Sequence, residues 1–132
     1  MLKFLTPATV AKPFSSYSHA VEAPADARWL HISGQVGVLP DGALAGADLA
    51  SQSWQAWKNV VALLEAAGMS VRDLVKTTAY LVGPITADDI AAMRKAREEA
   101  LRGATPASTA VVVAALVRPE WRIEVEAVAA KV

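Results

Sequence analysis

The chain of 132 residues has no cysteine, no net charge and no long hydrophobic run. Without cysteine there is no disulfide scaffold, no thiolate ligation of zinc or an iron–sulfur cluster and no cysteine nucleophile, and the chain is compatible with a reducing compartment. The balance of 13 Lys and Arg against 13 Asp and Glu removes the counterion release that drives nonspecific nucleic-acid binding. Nucleic acid is therefore not an expected partner. The apolar start Met1-Leu2-Lys3-Phe4-Leu5 is cut by Thr6 and Pro7, short of the roughly 7 to 15 residues of a signal h-region. No run approaches the roughly 18 apolar residues of a membrane span, so no membrane association and a cytoplasmic location are expected. Low-complexity segments and internal repeats are absent too, and a single domain is expected over residues 1–132.

What is present is a substantial core. Apolar residues make up 54% of the chain, and at 13.9 kDa size scaling leaves about 6,700 Å² exposed of about 20,000 Å² in the unfolded chain. The first dozen residues, with Pro7 and Pro13, read as a loosely held arm or edge. The stretch from Phe14 to Glu22, the turn Ala23-Pro24-Ala25-Asp26 and the run Trp29 to Ser33 read as a hairpin. Pro40-Asp41-Gly42 gives a tight turn, and Asp48 is a candidate N-cap. From Leu49 to Ala67 the spacing of Trp54, Trp57, Val60, Val61 and Leu64 predicts a helix closed by Gly68. Leu74 to Val82 reads as a strand ending at Gly83-Pro84. Thr86 and Asp89 resemble a capping box for a second helix, whose apolar face is Ile90, Met93, the Arg97 stem, Ala100 and Leu101. Ser108 to Leu116 and Arg122 to Ala130 complete a ββαβαββ order, an α+β layer of helices on one sheet.

Two helices cover one side of a sheet. Yet Ala110, Val112 and Ala114 alternate with Val111, Val113 and Ala115, so that strand is apolar on both sides. A second copy of the chain is the simplest cover for the other side.

Few residues invite chemistry. Glu124 and Glu126 project from one face of the last strand, opposite Ile123, Val125 and Ala127. Such a pair suits acid–base work, although spacing alone favours a solvated outer face that discourages edge pairing. His19 and His31, each placed in a strand, lack metal-ligand spacing. Ser33 precedes Gly34 without a nucleophile elbow, and Gly34, Gly37 and Gly42 make no phosphate loop. The basic stretch Arg94, Lys95, Arg97 and Arg102, offset by neighbouring acids, reads as a solvated helix face.

Six segments taken in order resemble the Rid/YjgF family: Tyr17 to Val21, Ile32-Ser33-Gly34-Gln35-Val36, Asn59 with Leu64 to Ser70, Asp73 to Thr78, Pro106-Ala107-Ser108-Thr109 and Ile123 to Ala129. The resemblance implies a chorismate-mutase-like protomer and a homotrimer with a central barrel and small-molecule clefts between subunits. It further implies hydrolysis of reactive enamines and imines as metabolite damage control, without cofactor or metal. Tyr17, Ser33 and Glu124 fall at cleft-lining positions of the family, with Glu124 orienting or activating water. In the family's Pro-Ala-Arg-Ser motif an arginine clamps the substrate carboxylate by a bidentate fork. Here that position is Ser108.

A hydroxyl cannot replace the fork, so a standard 2-iminobutanoate or 2-iminopropanoate deaminase is not expected. Three readings stay open. The chain is a Rid-family enzyme whose substrate lacks the carboxylate or is held otherwise, by Arg118 or Arg122; or it is a non-catalytic trimer that binds a metabolite or a partner protein. The endoribonuclease activity attached to some relatives fits least, for want of positive charge.

Overall fold

The computed structural model describes residues 1–132. In chain order the elements are β1 (Lys3–Leu5), β2 (Ala20–Glu22), β3 (Arg28–Val36), α1 (Leu49–Ala66), β4 (Leu74–Val82), α2 (Ala87–Leu101), β5 (Ala107–Val113) and β6 (Ile123–Lys131). A short 3₁₀ turn, Val71–Asp73, leads into β4. Both helices lie on one face of a mixed four-stranded sheet of order β3-β6-β4-β5, in which only β4 and β5 are parallel. This is the α+β arrangement expected from the sequence.

Local chemistry accounts for the helices. Asp48 accepts from the Ser51 backbone N–H at 2.9 Å and caps α1, and Gly68 beyond its end takes φ +68°. Thr86 and Asp89 form the reciprocal capping box of α2. The buried stripe of α1 is Leu49, Gln52, Ser53, Ala56, Trp57, Val60 and Leu64, while Trp54 and Val61 sit on its flank. Two polar residues thus enter the core. Gln52 is satisfied there: its Nε2 donates to the carbonyls of Gly46 and Glu120, both at 3.0 Å, and its Oε1 accepts from the Arg122 N–H at 2.8 Å.

The expected N-terminal hairpin is not formed. β2 pairs with β1, Phe4 opposite Val21, in a separate two-stranded sheet, and β3 pairs with β6. The arm is therefore an edge strand, and the order gains a strand at its start. Burial explains the choice: Leu30 and Ile32 of β3 face the core opposite Ala129 and Ala127 of β6, whereas Phe14 to Glu22 has no such alternation to offer. His19 consequently lies just before β2 rather than inside a strand. The chain near it touches the main sheet once, through a parallel bridge from Ser18 to Ala107.

β6 alternates as its sequence predicts, with Ile123, Val125, Ala127 and Ala129 inward and Glu124, Glu126 and Val128 outward. β5 is shorter than expected and ends at Val113. At this sheet edge Val111 and Val112, on opposite faces, remain 40% and 63% exposed. The outer face as a whole is not apolar: it also carries His31, Lys76, Thr78, Tyr80 and Glu126. No segment of the chain covers it. The chain exposes 7410 Å², roughly a tenth more than size scaling gives a monomer of this mass.

Candidate functional site

Helix α2 packs mainly on α1. Between α2 and the β4–β5 half of the sheet there remains a cavity of about 360 Å³, walled on one side by the segment Phe14 to Tyr17. The Ser18–Ala107 bridge and the 3.2 Å bond from the Ser18 N–H to the Pro106 carbonyl bring that segment alongside β5. Tyr17 and Ser108 therefore share the cavity. The Thr77 hydroxyl donates to Ser108 Oγ at 3.4 Å, and the Tyr17 hydroxyl accepts from the Phe14 N–H at 3.2 Å. Trp57, Ala79, Ile90, Met93 and Ala110 supply apolar wall, and Arg94 and Arg97 supply charge.

Arg97 departs from its expected place on a solvated face. Its Nη2 donates to Ser15 Oγ at 2.6 Å, and its Nε is buried without a partner. Burial, the largest influence, holds this guanidinium below the ordinary arginine range; the Glu98 charge opposes the shift and Arg94 reinforces it. The signal was present in the sequence, since Arg97 follows Ile90 and Met93 at helical spacing on the apolar stripe. Arg118 and Arg122 do not line this cavity. Arg118 stacks over Trp121 at 5.5 Å, and Arg122 donates to the Pro84 carbonyl at 2.8 Å and lies 3.9 Å from Asp89.

Ser33 and Glu124 lie on the other side of the sheet. Between Ile32 and Gln35, β3 carries one residue more than β6 does between Ala127 and Val125, and Ser33-Gly34 is this bulge. A side chain on Gly34 is impossible without displacement, because its Cβ would stand 2.3 Å from Glu124 Oε2. The missing side chain brings backbone against the carboxylate. Asn59 of α1 fixes the far end of the bulge by donating to the carbonyls of Val36 and Val38 at 3.2 and 3.0 Å. Glu124 stands opposite Tyr80, whose hydroxyl donates instead to Glu126. That bond, and after it burial and the two glutamate charges, raises the Tyr80 phenol above its ordinary value. Ser33 lines a shallow depression of about 310 Å³ with His31, Lys76, Thr78 and Glu126.

One chain thus divides the sequence-derived candidates into two groups, Tyr17 with Ser108 and Ser33 with Glu124. His19, His31 and the carboxylates form no cluster able to hold a metal ion. A second groove of about 380 Å³ between the two helices, lined by Lys58, Glu65, Glu99 and Arg102 among others, contains none of the candidates.

A family model described as Endoribonuclease L-PSP matches residues 8–131. The chain belongs to the Rid family. Among its relatives, a RutC family protein of Pyrococcus horikoshii is 36% identical over 121 residues, covering 91% of this chain and 90% of that one. The 2-iminobutanoate/2-iminopropanoate deaminase of Mus musculus is 37% identical over 114 residues, covering 86% and 79%. Among solved structures, the Rid family protein YyfB of Yersinia pestis, itself of unknown function, superposes with a TM-score of 0.84 at 34% identity over 97% of both chains. RidA of a Psychrobacter species gives 0.67 at 29% identity, over 96% of this chain and 98% of that one. These Rid structures share the fold that sets the two groups of candidates on opposite faces of one sheet in this chain.

Proposed function

We propose that this Rid protein is a homotrimer that hydrolyses a reactive imine or enamine in a cleft between subunits, without metal or organic cofactor, and that it is not a standard 2-iminobutanoate deaminase. The observation that carries this reading is the division of the candidates. Ser33 and Glu124 face outward on a sheet nothing covers, while Tyr17 and Ser108 sit near the β5 edge. A head-to-tail ring joins the edge of one protomer to the outer face of the next and completes each site. The likeness to a 2-iminobutanoate/2-iminopropanoate deaminase supports the reaction class.

In such a cleft Glu124 accepts a proton from water as the water oxygen attacks the carbon of the C=N bond. The resulting carbinolamine takes a proton on nitrogen, its C–N bond breaks, the hydroxyl loses its proton, and ammonia and a carbonyl compound leave. Tyr17 and Ser33 hold the ligand or the water by hydrogen bonds. Ser108, where the family resemblance places a guanidinium fork, leaves the usual carboxylate contact unmade, which costs about tenfold to hundredfold in binding.

The test joins assembly to turnover. Sedimentation should give a trimer at micromolar concentration, and imines generated in place and trapped with semicarbazide should be hydrolysed, with 2-iminobutanoate a poor substrate. A monomer would remove the cleft. A trimer silent across the imine panel would leave the second reading, a non-catalytic metabolite- or partner-binding ring.

A further inference from the structure

We infer that the groove between α1 and α2 binds a zwitterionic amino acid with an apolar side chain, at a site apart from the proposed cleft. β4 and β5 are parallel, and β3 and β4 each run antiparallel to β6, so β3, β4 and β5 point one way. The two helices that connect them return the other way, parallel to each other, and end on the same side of the molecule. There the turn Met69 to Val71 helps to enclose a groove of about 380 Å³, within the range of small-molecule sites. Its wall is apolar, with Leu64 and Met69 buried and Trp54, Val61, Val71 and Ala100 partly buried.

The charges of the groove balance, Glu65 and Glu99 against Lys58 and Arg102. None of these four side chains forms an ion pair, for the ion pairs of the chain are Lys3–Glu22 and Arg122–Asp89. The acids also stand against the backbone field. Glu65 and Glu99 lie in the last turns of α1 and α2, where neither helix carries a basic residue and where a helix end favours a cation. The cations that do reach these ends lie outside the groove lining: Arg72 donates to the Arg102 carbonyl and Lys131 to the Gly68 carbonyl, both at 2.8 Å. A ligand ammonium is thus drawn to Glu65 and Glu99, and a ligand carboxylate to Lys58 and Arg102. An amine or an acid alone meets as many repelling charges as attracting ones, whereas a zwitterion matches both signs and lays its side chain on the apolar wall.

The probe is L-leucine, titrated into the full chain with NMR detection of the indole N–H resonances of Trp54 and Trp57, assigned by Trp→Phe variants. Trp54 lines this groove and Trp57 the cavity that holds Tyr17 and Ser108, so the spectrum reports where the amino acid sits. A saturable shift of Trp54 with Trp57 unmoved is expected, with Kd below about 10 mM, an ordinary efficiency for a ligand of this size. Isoamylamine and isocaproate, which keep the side chain and one charge each, and L-serine, which keeps both charges without the hydrocarbon, should bind at least about fivefold more weakly. Lys58 and Glu65 are exposed; Lys58→Gln and Glu65→Gln should each weaken binding about twofold to fivefold and leave sedimentation and any imine turnover unchanged. No Trp54 shift at tens of millimolar, a shift of Trp57 alone, isoamylamine or isocaproate binding as tightly as leucine, or equal affinity in the double variant would each overturn the assignment. The site shares no residue with the proposed cleft, so a Trp54 shift in a protein silent toward imines would uphold it and remove only the enzymatic reading.

Discussion

On the helix side of the sheet, the β4–β5 half bounds a cationic cavity with Arg94 and Arg97 and no acid, whereas on the outer side β6 carries a half-buried Glu124 and an exposed Glu126. A reaction that needs both a base for water and a cationic grip finds one on each side, with the sheet itself between them. In the proposed ring each chain supplies half of every cleft, in geometry and in charge. Opposite charges on the surfaces to be joined also guide association and disfavour the reversed docking, in which acid would meet acid.

The comparison breaks most sharply at the acidic side. Glu124→Gln keeps shape and hydrogen bonding but not the base, and should lower turnover of any imine substrate by about 10² to 10⁴ with the sedimentation profile unchanged. Equal rates would assign catalysis to the cationic side alone. Gly34→Ala pushes a methyl group toward the same carboxylate, and a fall of about tenfold or more in kcat with KM little altered is expected if Glu124 is held by that contact. On the cationic side, Ser108→Arg places a third guanidinium beside two others; its gain on 2-iminobutanoate should stay below about tenfold and grow in an Arg97→Met background, where like-charge repulsion is relieved.

Two smaller tests concern what holds the sides apart. Asp48→Ala removes the cap of α1 and should cost about 1 kcal/mol in chemical denaturation. The Ser51 backbone bond, the largest influence, lowers the Asp48 carboxyl below its ordinary value. A group depressed in the folded state stabilises above its unfolded pKa and ceases to as pH falls through the folded one. Asp48→Ala should thus lose most of its penalty in acid, once the pH has fallen through the lowered Asp48 value. Tyr80 shows the opposite sign. Its phenol is raised by donating to Glu126, so that bond contributes below the unfolded pKa of about 10 and is lost as pH rises through the folded value. In an ultraviolet titration the late phenolate rise should vanish in Tyr80→Phe, with little change in stability.

The parts of the fold set by local pattern were legible before the structure. Both helices, the capping residues Asp48 and Thr86, the strand Leu74–Val82 and the alternation of β6 follow from spacing and side-chain chemistry that act within a few residues. Strand pairing does not: Phe14 to Glu22 and Trp29 to Ser33 adjoin in sequence, yet β3 takes its partner from the far end of the chain because Ala127 and Ala129 complete its buried face. The candidate residues could be named from the sequence, and their placement in the fold could not. Tyr17, Ser33, Ser108 and Glu124 could be named, but which sheet face each occupies depends on register and on the bulge at Ser33-Gly34. The stem of Arg97 could be placed on the apolar stripe from its spacing, but among Arg94, Lys95 and Arg102 its guanidinium had the composition of a solvated surface.

The strand order also sets a timetable. β6, made after all the strands it joins, lies inside the sheet and pairs with both β3 and β4. Within the main sheet only β4 and β5, a parallel pair with α2 as its crossover, can pair before residue 123 is made. Until then β3 waits with an unpaired edge, and Arg28 meets Lys131 only by closing nearly the whole chain into a loop, a slow class of contact. The nascent protein therefore passes through synthesis as an open sheet in need of protection from its own copies, the same copies that the proposed ring would recruit.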